Sequence, residues 1–221
     1  MPREKFEHDM KRLQEDVLAL GVLAETAVLD SVEALRTQDV KKARAIMAAD
    51  RPINEKRFTL ENEALTLIAT QQPMASDLRA LASVLELATE LERIADYAKG
   101  IANITVMIGT TPLIKPLQDI PLMAKKACAM LHAALEAYVT QDIQKASRIP
   151  AQDEEVDALY EKVYRDLVAL IIADQRVLDQ AMRLTWVAHN LERVADRVGN
   201  ICERVIFSIS GRIEELTDSL G

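Results

Sequence analysis

The chain has 221 residues, 49% hydrophobic, 28% charged and only 4% aromatic, which is enough apolar material for a full core and the wrong balance for a disordered or membrane-embedded protein. Net charge is −8 and evenly spread, with 14 basic and 18 acidic residues up to Thr110 and 13 and 17 after it, so each half carries −4. No concentrated basic face is available to neutralise nucleic-acid phosphates, and six glycines with seven prolines are too few for a turn-rich β fold or a phosphate-cradling loop.

From Phe6 onward, Leu13, Val17, Leu20, Leu23, Ala24, Ala27, Val28, Ser31, Val32 and Leu35 recur at three- and four-residue steps, the stripe of a long helix ending near Arg36. A second helical pattern covers about 40–70, with a disturbance expected at Pro52, and a third covers about 75–108 after the break at Gln71, Gln72 and Pro73. The segment GTTPLIKPLQDIP at 109–121 holds three prolines and reads as the one substantial linker. Three further helices follow, at about 122–139, 143–173 and 177–209.

The halves repeat. LERIAD at 91–96 returns as LERVAD at 191–196, an offset of 100, and TQDVKKA at 37–43 returns as TQDIQKA at 140–146, an offset of 103. The fold class that follows is all-α, two tandem three-helix bundles related by an internal repeat: a first bundle over 1–110, a linker over 111–121 and a second bundle over 122–221. A continuous six-helix solenoid is the competing arrangement.

Each LER motif places a glutamate and an aspartate four residues apart, Glu92/Asp96 and Glu192/Asp196. On a helix both carboxylates then share one face, where like charges repel. Further along the last helix Asn200 and Glu203 extend the same oxygen-bearing stripe, and the preceding helix supplies Asp153 and Asp157. Carboxylates and an amide on adjacent helices suit a hard divalent cation. The ordinary alternative is a solvated acidic face paired with Arg93, Arg193 and Arg197, and the duplication weighs against it. The first half is thinner: Asp50 and Asn54 stand where the second has Asp153 and Asp157, and Gly100 and Asn103 where it has Asn200 and Glu203.

His8, His132 and His189 are scattered and never complete the Glu-x-x-His spacing that a di-iron bundle needs twice. Cys128 and Cys202 form no CxxC, so neither a thiolate zinc site nor a disulfide framework is expected. His189 is expected as a helix-face or packing residue and Trp186 as a core anchor, with Met47, Met74, Met107, Met123, Met130 and Met182 filling gaps in the core. The charged start, MPREKFEHDMKR, lacks the apolar stretch of a signal peptide, and the longest apolar run, 167–173, is far too short to span a bilayer. A cytoplasmic location is expected, with membrane contact only through partners.

The run QQPMASDLRAL at 71–81, together with LERIAD and LERVAD, resembles the PhoU family of bacterial phosphate-transport regulatory proteins over essentially the whole chain. The resemblance implies a non-enzymatic, cytoplasmic, usually dimeric regulator. Such proteins act with the phosphate ABC transporter, on its ATPase subunit side, and with the sensor histidine kinase PhoR to keep the phosphate-starvation response off when phosphate is plentiful. It also implies metal binding through Glu/Asp-x-x-x-Asp pairs, with iron, zinc, manganese or magnesium as the ion. Carried over, that motif falls on Glu92/Asp96 and Glu192/Asp196, with Asp153/Asp157 as partner pair and Asp50 keeping its place. Asn54, Gly100 and Asn103 depart from the family pattern. The expected metal ligands are therefore Asp153, Asp157, Glu192, Asp196, Asn200 and Glu203 in the second half, and Asp50, Glu92 and Asp96 in the first. A metal-buffering or metal-storage protein is the alternative function, and a hydrolase using paired carboxylates a more distant one.

Overall fold

A computed structural model describes residues 2–212. The described residues form helices α1 (Pro2–Thr37), α2 (Val40–Gln71), α3 (Ala75–Ile108), α4 (Asp119–Thr140), α5 (Ile143–Arg148), α6 (Asp153–Ala173) and α7 (Leu178–Ser210), with 3₁₀ turns at Pro150–Gln152 and Gln175–Val177 and no strand. The end of the expected second bundle, 213–221, lies outside them.

The repeated TQD tripeptide encodes a turn. Gln38 and Gln141 both adopt a left-handed backbone at φ 53°, ending the helices before them, and the next residue caps the helix that follows. Asp39 accepts from the Lys42 N–H at 2.8 Å and Asp142 from the Lys145 N–H at 2.9 Å, each satisfying a backbone donor that the first helical turn leaves free. Pro52 does not interrupt α2. It lies on the solvent side, as does Ala48 four residues earlier, so water replaces the hydrogen bond that the proline cannot donate. The single helix expected over 143–173 is instead broken at Pro150, and α6 starts afresh at Asp153.

Four helices make the interior. α3 packs about equally on α7, α1 and α2, α1 packs also on α4, and α4 packs on α7; α2 covers α1 and α3 from one side, and α6 covers α4 and α7 from the other. The arrangement is two three-helix units placed face to face, not a solenoid. α3 and α7 run antiparallel: Asn200 Nδ2 donates to Glu90 Oε2 at 3.3 Å, Arg204 pairs with Glu86, and a Cβ placed on Gly100 would lie 3.1 Å from the Asn190 amide. Asn200 and Glu90 are the repeat equivalents of Gly100 and Asn190, so these contacts are related by a pseudo-two-fold axis. Ala88, Ala95, Ala98, Ala102, Ala188 and Ala195 are all buried on these two helices, and Ala102 packs against Ala34 of α1 and Ala43 of α2, where such small residues let backbones come close. One apolar core runs through both halves, from Phe6 and Leu13 to Val205 and Ile206.

The linker joins this core. Leu113, Ile114 and Leu117 pack against it, Gln38 donates to the Thr111 carbonyl at 2.6 Å, and the Ile114 N–H donates to Gln180 at 2.6 Å. Trp186 is not a core anchor. It is 58% exposed, because the buried stripe of α7 runs through Leu184, Val187, Ala188 and Leu191 and Trp186 falls beside it. Met74, Met107 and Met182 are likewise exposed, as is Leu23, whereas Met123 and Met130 fill the core. The short loops around α3 and the surface register of α7 outweigh side-chain size in deciding which large residues enter.

At Gly21, α1 approaches α4 so closely that a Cβ would lie 2.3 Å from Leu135 Cδ1, whereas nothing comes within 4 Å of a Cβ on Gly199. Gly21→Val should destabilise the chain by about 1–3 kcal/mol through overpacking, and Gly199→Ala should stabilise it by about 0.5–1 kcal/mol through helix propensity. Denaturant unfolding of the two variants checks both, and equal effects would contradict the packing.

Candidate metal centre

The stripe that α2 turns inward contains Ala43, Asp50, Ile53, Leu60, Ala64 and Leu67, so Asp50 occupies a position that an apolar residue would ordinarily fill. It is 8% exposed. On α6 the corresponding inward stripe of Val156, Val163 and Leu167 has Asp153 at its start. Sequence register thus pushes one aspartate per half against the helix that carries the LER motif, α3 or α7, where Glu92/Asp96 or Glu192/Asp196 wait on the flank.

In the second half Asp153, Asp157, Glu192 and Asp196 come together between α6 and α7. Burial, and then the charges of Asp157, Asp196 and Glu192, push the Asp153 carboxyl up to about 7. Burial followed by the Asp196 charge raises Asp157 and Glu192 as well. Asp153 Oδ1 and Glu192 Oε2 are buried without a hydrogen-bond partner. His189 Nδ1 lies 3.1 Å from that Glu192 oxygen but is not aligned to donate to it. Arg193 pairs with Asp196 at 3.0 Å, and Trp186 holds the His189 ring edge-on at 5.6 Å between centroids. A cleft of about 240 Å³ opens beside the cluster, lined by Asp153, Asp196, Gly199 and Asn200 among others.

Of the six expected second-half ligands, the structure brings these four carboxylates together. Asn200 lines the same cleft but turns its amide nitrogen to Glu90. Glu203 stands two turns beyond Asp196, about 10 Å along the axis, and does not line the cleft. Among the described residues no three His, Cys, Asp or Glu side chains are already arranged to hold an ion. The four carboxylates nevertheless fit one chemically: two of their oxygens are orphaned in a buried setting, and a hard cation takes oxygen ligands of this kind.

The first half is built otherwise. Asp50 Oδ2 accepts from Lys99 Nζ at 2.6 Å and from Asn54 Nδ2 at 3.1 Å, and Lys99 Nζ also lies 3.7 Å from Asp96 Oδ1. Glu92 is raised by burial and then by Asp96, and Asp96 by burial and then by Asp50. Lys99 is the residue that motif reasoning missed. Its signal was the position itself, since the repeat pairs Lys99 with Gly199. Cys128 and Cys202 are buried and free, each thiol pushed up to about 12 by burial, so neither is a ready thiolate ligand.

With the duplicated acidic pairs in place on equivalent helices, comparison with known proteins is decisive: the PhoU domain matches twice, over residues 17–105 and 120–205. The chain belongs to the PhoU family. It is 33% identical over 219 residues to the phosphate-specific transport system accessory protein PhoU homolog of Clostridium acetobutylicum, covering 99% of this chain and 100% of that one. In three dimensions it is similar to PhoU from Pseudomonas aeruginosa, with a TM-score of 0.88 and 28% identity over 94% of this chain and 100% of that chain. It is also similar to the phosphate transport system regulatory protein PhoU from Streptococcus pneumoniae, with a TM-score of 0.87 and 27% identity over 95% and 99%. No described helix is long and apolar enough to cross a membrane.

Because burial and like charges raise Asp153 from 3.8 to about 7, the folded chain keeps a proton that the unfolded chain has already lost. Below about pH 4 both states are protonated and the aspartate costs nothing; stability is lost as pH rises toward 7, and the full penalty remains above it. One pKa unit corresponds to about 1.4 kcal/mol, and partial solvent access reduces the three-unit ceiling to about 1–2 kcal/mol. Asp153→Asn should therefore leave metal-free stability unchanged near pH 4 and raise it by that amount at pH 8. Thermal melts across this range test it, and a difference between variant and native chain that does not depend on pH would be inconsistent with the cluster.

Proposed function

We propose that this chain is an accessory regulator of phosphate uptake that holds the phosphate-starvation response off when phosphate is plentiful, and that its second-half carboxylates carry a divalent or trivalent metal ion. The observation that carries the metal reading is the pair of buried oxygens on Asp153 and Glu192 that accept no hydrogen bond, in a cluster where four carboxylates face one another. Asp153 and Asp157 would hold the ion from α6, and Glu192 and Asp196 from α7. When bound, the ion neutralises the cluster and ties the two helices together. Supporting the regulatory reading are the names of the relatives, an accessory protein of the phosphate-specific transport system and a phosphate transport regulatory protein.

In this reading the chain works as a dimer in the cytoplasm, docking through an acidic, metal-dressed helical face on the ATPase subunit side of the phosphate ABC transporter and on the sensor kinase PhoR. It carries out no chemical step. Its own residues do the positioning: Arg193 holds Asp196 at 3.0 Å, and α7, fixed along α3, presents Glu192 and Asp196 to α6.

The test replaces Asp153, Asp157, Glu192 and Asp196 together by Ala in the full chain. Metal content, capture of the transporter ATPase subunit, and a phosphate-starvation reporter in cells lacking the native copy are then measured. Loss of metal and of capture, with the reporter active at high phosphate, is expected. Lost metal with unchanged capture and signalling would favour metal storage over docking.

A further inference from the structure

The repeat places Asp50 and Asp153, Arg57 and Tyr160, and Lys99 and Gly199 at equivalent positions. Beside Gly199 the second-half cleft is open, with no atom within 4 Å of where a Cβ would be. The Lys99 ammonium is 2.6 Å from Asp50 and 3.7 Å from Asp96, and Asn54 already donates to Asp50 from the same helix at 3.1 Å. Arg57, held by Glu61 at 2.7 Å, stands within electrostatic reach of Glu92. Two cations of the chain therefore oppose Asp50, Glu92 and Asp96; at the equivalent positions the second half has a glycine and a phenol, and the cation beside its cluster, Arg193, pairs with Asp196 at 3.0 Å.

We infer that Lys99 is a tethered cation that closes the first-half carboxylates to metal ions, leaving the second half as the metal-competent one. A free divalent ion would have to evict an ammonium from a carboxylate that is almost wholly buried, and then remain beside it, since the lysine stem is anchored on α3 within reach of the cluster. Asp50 Oδ1 is buried without a hydrogen-bond partner, but it belongs to the carboxylate that Lys99 already holds through Oδ2. The Asn54 nitrogen is engaged with Asp50, and Gly100 has no side chain. The contrast with the second half rests on the metal reading above, whereas the exclusion is drawn from the first half alone.

The test measures Mn²⁺ binding to the full chain by loss of the free-ion magnetic resonance signal, with circular dichroism as the check of folding. A background variant carrying D153N, D157N, E192Q and D196N silences the second half, and it should bind no Mn²⁺. Adding Lys99→Ala to that background should restore Mn²⁺ binding, a further Asp50→Asn should abolish it again, and Lys99→Arg in place of Lys99→Ala should restore nothing. If Lys99→Ala fails to fold, Lys99→Met keeps the stem and is read in its place. Mn²⁺ binding by the silenced background that Asp50→Asn removes would overturn the inference, as would a folded Lys99→Ala variant of it that binds none. An absence of Mn²⁺ binding by the native chain would count against the second-half metal reading only, because the Lys99 variants report on the first half separately.

Discussion

The antiparallel packing of α3 on α7 is the constraint on which the rest of the molecule depends. Polar pairs along their margins, Asn200 with Glu90 and Arg204 with Glu86, hold the register. Because these helices also carry the two LER motifs, that register fixes where both acidic pairs stand. The outer helices α2 and α6 are then added on opposite sides, each delivering one aspartate inward.

Duplication gave the chain the same electrostatic problem twice, and the two halves answer it differently. Like charges four residues apart on a helix repel, and partial burial makes the repulsion stronger by thinning the solvent around them. In the first half Lys99 and Asn54 engage Asp50 directly. In the second Arg193 meets Asp196 and His189 lies beside Glu192 without donating to it; each half keeps a buried carboxylate oxygen without a hydrogen bond, Asp50 Oδ1 in the first and Asp153 Oδ1 in the second. Net charge is equal in the two halves, and its distribution is not.

Much of this was legible in the sequence. Periodicity located the third helix at its observed bounds, and the duplicated LER and TQD motifs gave the tandem architecture, because both signals arise from backbone geometry that repeats along the chain. Four carboxylates of the second half were legible for the same reason: i, i+4 spacing guarantees a shared face. What escaped depended on tertiary register. Trp186 was expected in the core, and α7 turns it outward. Asn200 lies on the expected stripe, yet the neighbouring α3 offers Glu90 and claims its amide. Pro52 reads as a breaker, and solvent at the exposed Ala48 carbonyl makes it harmless. Lys99 sits within the acidic pattern and looks like any solvated helix lysine until α2 brings Asp50 to it.

The shared core also bears on how the chain is made. α1 and α3 pack against α4 and α7, and residues of all four belong to one apolar interior. During synthesis the first three helices are finished when Ile108 has been added, while the partner surfaces for α1 and α3 are still to come. At about 5–20 residues per second the wait for the remaining chain is several seconds or more. Through that interval the nascent first half presents an apolar slab the width of two helices. The first half therefore completes its core only once α4 and α7 have been made.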